Sequence, residues 1–311
     1  MMIVQTKPTI NVVRLSGGLG NQMFQYIFGK SLEVLSGMRT QFDTQVYSRN
    51  YTSLAPETIR EFGLGSLRTD LVESSPGIEK DYGLNFAIQS NKFSVIVDRL
   101  TVRILNKKRY VQEAQFSFNP DVYNNLTQGC YYMGYWQSQE YFRLDKTQIS
   151  AEFKPKLPLN PAALDLQDKI INTRGICLNV RRGDFVSNKA TFKFHGVLSK
   201  EYYLKALDIL RAHHDSNYVY IFSDDLDWCL KNFQQDYFTF IVPHTFAGPN
   251  FVHYLELMKS CSAFVIPNST FGWWGAYLSE VDGSKIIAPN NWFADPFVDT
   301  SDLIPSSWTR L

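Results

Sequence analysis

Hydrophobic and polar positions fall into a repeating order along this chain: a short apolar run, a polar turn, then apolar residues at helical spacing. Residues 10–15 form one such run, "SGGLGNQ" is its turn, and Met23, Phe24, Ile27, Phe28 and Leu32 recur as one face of a helix. Residues 176–180 form a second run, which ends in Arg181, Arg182, Gly183 and Asp184. A third, residues 263–267, leads into "NSTFGWWGAYLS", where Asn268 or Ser269 takes the cap position of a helix carrying Trp273, Trp274, Tyr277 and Leu278. Between the last two, "SKEYYLKALDILRAH" has amphipathic helical spacing and "YVYIFSDD" reads as a buried strand ending in carboxylates. Strands alternating with helices predict an α/β fold with parallel sheets.

A seam crosses the middle. "EFKPKLPLNPAALDL", residues 152–166, sets three prolines in a polar stretch, which favours extended backbone and a helix start after Asn160-Pro161. The α/β pattern on both sides predicts two Rossmann-like domains facing each other across a cleft, residues 1–155 and 156–290. Residues 291–311 either stay with the second domain or return to the first.

Composition narrows the setting. With 44% hydrophobic and 20% charged residues the 311-residue chain can bury large cores. Thirty-one Lys and Arg against thirty Asp and Glu leave a formal charge of +1, so no global field draws it to nucleic acid or an anionic membrane. Any anion site must be local. Cys130, Cys177, Cys229 and Cys261 lack metal or disulfide spacing. The first residues lack the pattern of a secretory signal and no apolar stretch is long enough to span a membrane, so a cytoplasmic protein without a transmembrane segment is expected. In that setting the Asn-X-Thr/Ser patterns at Asn50, Asn125 and Asn268 carry no glycosylation meaning.

In open α/β sheets ligands bind beyond the carboxyl ends of strands, where each of the polar turns lies. Arg181 and Arg182 are suited to a diphosphate, because guanidinium stays charged and offers paired donors. The plainer reading pairs one arginine with Asp184 and leaves the other solvated. "SGGLGNQ" starts like a dinucleotide fingerprint, with Gly18 and Gly20 and with Asp43 at a ribose-ligand distance, but Met23 replaces the third glycine. What remains is a helix start near Asn21 and Gln22 that favours negative charge, or a tight turn. Asn268, Ser269 and Thr270 are phosphate donors at a helix start or an ordinary cap. Asp225-Leu226-Asp227 is a weak metal–diphosphate pattern, and His195 is a hydrogen-bonding group or loop cover. Trp273 and Trp274 read as packing, at least one entering the core, and "MGYWQSQEYF" as an aromatic core segment with Gln137 and Glu140 as polar members. His213, His214, His244 and His253 read as structure or surface.

The ordered set "GGLGNQMFQY", "GYWQSQEYF", "NVRRGDF", "YVYIFSDD" and "NSTFGWWGAYL" closely resembles the bacterial α-1,2-fucosyltransferases of glycosyltransferase family 11, from about residue 10 to about residue 290. The resemblance implies a GT-B architecture, an acceptor-side first domain and a second domain that binds GDP-L-fucose. It further implies inverting transfer to the 2-hydroxyl of a terminal β-galactose, as in lactose-type acceptors, inside the cell or peripheral to the inner face of the membrane. The family's His-X-Arg-Arg-Gly-Asp motif falls on Asn179 through Asp184, with Asn179 in the place of histidine. By that match Arg181 contacts the β-phosphate and Asp224 or Asp225 reads guanine, while Arg182 and His195 are further candidate substrate-binding residues. Ser269 and Thr270 hold phosphate, and Gly20 and Asn21 approach the donor from the first domain. Asp184 is either the catalytic base or the group that orients an arginine. Arg181, the 268–270 helix start and the Gly17–Gly20 loop offer diphosphate stabilisation without a metal, so no cofactor or metal is expected. Two other functions stand against this one: a non-catalytic carbohydrate-binding protein using the aromatic residues, and a nicotinamide-dependent oxidoreductase using the broken glycine loop and Asp43.

Overall fold

The computed structural model describes residues 10–48, 60–84, 109–124, 126–233 and 238–311. Asn50 and Asn125 lie outside them. The chain is α/β with two parallel sheets, one in each of two compact units, as the sequence pattern predicts.

The first unit comprises residues 1–62 and 70–145. Its described strands are β1 (Asn11–Arg14), β2 (Thr40–Asp43), β3 (Tyr110–Gln112) and β4 (Tyr131–Met133), in the order β2-β1-β4-β3 with every pair parallel. Helix α1 (Leu19–Ser36) connects β1 to β2 and ends at Gly37, whose φ of 70° is the left-handed cap that glycine adopts without strain. The five apolar positions that predicted this helix are all fully buried. Gln22 and Gln25 are buried too, and their amides are satisfied: Gln22 donates to the carbonyls of Gly17 and Glu61, and Gln25 donates to Gly134 and to Ser16 Oγ. "MGYWQSQEYF" is the aromatic core segment expected, with Trp136 stacked on Phe28 at 4.2 Å between ring centroids.

The second unit comprises residues 63–69 and 146–311. Its helices are α2 (Lys146–Glu152), α3 (Pro161–Asn172), α4 (Gly183–Ser187), α5 (Lys189–His195), α6 (Lys200–Arg211), α7 (Leu226–Asn232), α8 (Val252–Lys259) and α9 (Thr270–Tyr277). Its strands β5 (Ile176–Val180), β6 (Val219–Ser223), β7 (Thr239–Ile241), β8 (Ala263–Val265), β9 (Ile286–Ala288) and β10 (Thr309–Arg310) are ordered β10-β9-β8-β5-β6-β7, again all parallel. Every residue of β5 and β6 is buried, the mark of central strands covered on both faces. Asn160 caps α3 through its side chain with Pro161 at the first helical position, the start the proline seam predicts. Trp273 and Trp274 are both fully buried, so both enter the core. The four cysteines are free and buried.

Two boundaries differ from the sequence expectation. The units divide between Asp145 and Lys146, ahead of the proline seam, because α2 already belongs to the second unit. The final strand β10 pairs with β9, so the last residues close the second sheet and do not return to the first unit. Residues 63–69 belong to the second unit as well, held by a bridge from Leu67 to Pro155.

Gly29 tests how tightly the first unit is packed. A Cβ there would lie 2.5 Å from the Phe42 ring and 3.2 Å from the Thr40 methyl. Gly29→Ala is therefore expected to destabilise the protein by about 1–3 kcal/mol, read from the midpoint of urea unfolding.

Candidate active site

The central strands of the second sheet end side by side. Parallel register sets Val180 opposite Ser223, so the turns after β5 and β6 are neighbours although some forty residues separate them in sequence. Arg181 Nη1 pairs with Asp224 Oδ2 at 2.8 Å, and its Nη2 donates to Asp184 Oδ1. The backbone N–H of Arg182 donates to Asp224 Oδ1 at 2.9 Å, and its Nε pairs with Asp225 Oδ2 at 3.3 Å. The Arg182 guanidinium lies 4.2 Å over the Trp228 ring, a cation–π contact. Asp225 also caps α7, its Oδ1 accepting from Trp228 N at 3.0 Å. Gly183 is required where it stands, since a Cβ there would run into the Asp224 carboxylate.

This arrangement answers the two readings of the arginine pair separately. Arg181 does pair with Asp184, but it is also held by Asp224, a partner invisible from local sequence. Arg182 is not solvated surface: its side chain is 17% exposed and sandwiched between a carboxylate and an indole. Each guanidinium keeps N–H donors beyond those committed, fixed in direction by the carboxylates around them.

Asn179 lies one strand residue before, 6% exposed, with Nδ2 donating to the Phe222 carbonyl at 2.9 Å. A Cβ on Gly272 would lie 2.5 Å from its Oδ1, so α9 packs directly on this amide. Ser269 is the cap residue of α9, although its side chain makes no capping bond. Thr270 opens the helix. Asn268 is buried and spends its Nδ2 on the carbonyls of His195 at 2.8 Å and Trp292 at 3.1 Å. Its amide therefore has no N–H left for a phosphate. Its Oδ1 is buried without a hydrogen-bond partner among the described residues, and an acceptor of that kind suits a hydroxyl. His195 stacks on Phe185, the residue after Asp184, at 4.5 Å and 10° between planes. Asn179, Arg181, Arg182, Asp184, His195, Asp224, Asp225 and Asn268 thus form one contiguous set in the second unit.

Two neighbours of this set were missed. Trp228 supports Arg182, and His244 donates from Nε2 to the Ser223 carbonyl at 2.9 Å. Asp225 and Trp228 lie at the spacing of a cap and its third helical residue, a signal available in "DDLDW"; His244 offers none. Among the described residues no group of three or more metal-ligating side chains is gathered, the Asp-X-Asp pattern included.

Gly20 and Asn21 belong to the first unit, in the first turn of α1. Asn21 Oδ1 accepts from Gln137 Nε2 at 2.9 Å. Asp43, the ribose ligand of the oxidoreductase alternative, is 3% exposed and accepts from the Tyr131 hydroxyl and from Gln45 N. It is a strand-end anchor, with little of its surface open to a ribose.

Fixed guanidiniums at the strand ends of an α/β unit are groups suited to a phosphorylated ligand. The chain belongs to Glycosyl transferase family 11, whose family model matches residues 80–311. It is 30% identical to an α-1,2-colitosyltransferase of Escherichia coli over 97% of this chain and 99% of that one. It is 27% identical to a galactoside 2-α-L-fucosyltransferase of Bos taurus over 89% of this chain and 66% of that one. Among solved structures, the fucosyltransferase NodZ from Bradyrhizobium aligns with a TM-score of 0.46 and 13% identity, covering 89% of this chain and 95% of that one. No helix of the described residues is long and apolar enough to cross a membrane.

Asn179→Ala strips the Phe222 carbonyl of its side-chain donor and leaves a gap beneath α9. A loss of about 1–3 kcal/mol is expected in urea unfolding without any nucleotide present. An unchanged midpoint would contradict the packing role.

Proposed function

We propose that this protein transfers L-fucose from GDP-L-fucose to the 2-hydroxyl of a terminal β-galactose, with inversion at the fucose anomeric carbon. The observation that carries the reading is Arg181, a guanidinium fixed on two sides by Asp184 and Asp224 at the end of a fully buried strand. Leaving-group charge grows on the diphosphate as the fucosyl bond breaks, and a donor already fixed in direction stabilises it without reorganising. In this reading Arg181 meets the β-phosphate and Arg182 a second diphosphate oxygen. Ser269 and Thr270 supply hydroxyl donors at the start of α9. Asp184 orients Arg181. Asp225, the more exposed of the two β6 aspartates, keeps lone pairs for guanine N–H groups while Asp224 holds both arginines. His195 and the Asn268 Oδ1 border the sugar.

The Escherichia coli relative supports a second reading at the donor sugar alone, since colitose is fucose without its 3-hydroxyl and that relative matches nearly end to end. A screen of nucleotide sugars against lactose and related β-galactosides, with linkage analysis, separates the two. Transfer from GDP-L-fucose in α-1,2 linkage is expected; exclusive use of GDP-colitose would replace the fucosyl reading.

Arg181→Ala is expected to lower kcat by ~10²–10³-fold, the typical loss for one preorganised transition-state donor. Arg181→Lys should recover only part of it, because an ammonium keeps the charge and loses the fork. Near-wild-type turnover by folded Arg181→Ala protein would overturn the assignment. Transfer is also expected to survive treatment with a chelator, since Arg181 and Arg182 supply the positive charge that a metal would otherwise bring to the diphosphate. Loss on chelation with recovery on added Mn²⁺ would favour the Asp-X-Asp pattern as a metal site.

A further inference from the structure

The connection after β7, residues 242–251, ends in two residues whose backbone goes against their own preference. Asn250 has a φ of 49° and Phe251 a φ of 64°, both in the left-handed region that bulky side chains avoid. Such strain persists only where the surroundings over-determine it. Here they do. The N–H groups of His253 and Tyr254 both donate to the Ala247 carbonyl, at 2.9 and 3.3 Å. Asn250 Nδ2 donates to Ser66 Oγ at 2.9 Å, and His253 Nε2 to the Leu157 carbonyl at 3.0 Å. Gly248 lies so close to the His253 ring that a Cβ on it would be 2.3 Å away. What this bracing leaves in the open is an aromatic ring, for Phe251 is 40% exposed.

A path of direct contacts, all within the second unit, joins that ring to the aspartates after β6. Phe251 meets the His244 ring at 5.6 Å and 83° between planes, and the Tyr254 ring at 5.7 Å and 69°. His244 donates to the Ser223 carbonyl, and Ser223 Oγ accepts from Asp225 N at 2.9 Å. Asp225 is itself held in direction by Arg182 and by the cap of α7. Because β5, β6 and β7 are adjacent and parallel, three kinds of group line one carboxyl edge in order: guanidiniums after β5, carboxylates after β6, an aromatic ring after β7. Two strand spacings separate the first from the last, about 10 Å, a distance that a nucleoside diphosphate bridges. A nucleobase has a polar edge that needs fixed acceptors and flat faces that need an apolar or aromatic plane. Asp225 is suited to the edge and Phe251 to a face.

We propose that Phe251 is the platform on which the base of the donor nucleotide stacks, with the nucleotide lying along the carboxyl edge of the second sheet from β5 to β7. This rests on the reading of the protein as a transferase that uses GDP-L-fucose, and it adds the residue that binds the face of the base. Every base has a π-face, so the ring supplies affinity while Asp225 supplies selection for guanine. The two left-handed residues then have a use, since they keep so large a ring at the surface while the chain turns into α8.

Calorimetric titration of the full chain with GDP and with inorganic pyrophosphate, for wild type and Phe251→Ala, separates the base from the phosphates; melting temperatures report folding. Phe251→Ala is expected to weaken GDP binding ~5–100-fold and to leave pyrophosphate binding unchanged. Phe251→Trp restores an aromatic plane and should bind GDP as wild type does, with the added indole emission quenched as GDP saturates. A folded Phe251→Ala protein of wild-type GDP affinity, an equal loss for GDP and pyrophosphate, or a folded Phe251→Trp protein without added quenching would each overturn the proposal. If Phe251→Ala fails to fold, or pyrophosphate binds too weakly to titrate, the Phe251→Trp emission decides with GDP alone. A wild type that binds GDP no more tightly than pyrophosphate would remove the base platform and leave the diphosphate reading standing. One that binds neither would instead remove the fucosyl-transfer reading, and the platform with it.

Discussion

The ion-paired lattice between the ends of β5 and β6 is the constraint on which the site depends. Its geometry is fixed by backbone, because the register that sets Val180 beside Ser223 also sets Arg181 and Arg182 beside Asp224 and Asp225. Carboxylates outnumber guanidiniums in it, so the lattice does not attract anions by net charge. What it provides is direction: each guanidinium is held by carboxylates and keeps further N–H donors fixed in orientation. Such fixed donors lose little entropy and need little rearrangement when charge develops in front of them.

The same logic recurs in the first unit with different chemistry. Its strand ends carry Ser16 through Gly20 after β1, Asp43 after β2, Glu113 after β3 and Gly134 through Gln137 after β4. Buried glutamines and a buried aspartate keep these loops in place by satisfying backbone groups that have no strand or helix partner. The second unit presents arginines and helix-start hydroxyls, suited to phosphate.

Much of this was legible in the sequence because it is local. Apolar runs ending in polar turns gave the parallel strands, helical spacing gave α1 and α6, and Asn160-Pro161 gave the start of α3. Arg181 with Asp184 is a pair three residues apart. The rest depends on contacts between distant segments. Asp224 has no local feature that ties it to Arg181, and Asn268 looked like a phosphate donor until both its N–H groups were found on backbone carbonyls. The division between units was misread because prolines mark an extended stretch, and this one runs inside the second unit after α2.

In the proposed reading the lattice at the ends of β5 and β6 receives the diphosphate. A crystal structure of the protein with GDP bound tests it most directly. The expected result is β-phosphate oxygens within hydrogen-bond distance of the Arg181 guanidinium, with Asp184 and Asp224 still holding that side chain. A diphosphate bound elsewhere, with Arg181 still closed on its two carboxylates, would contradict it.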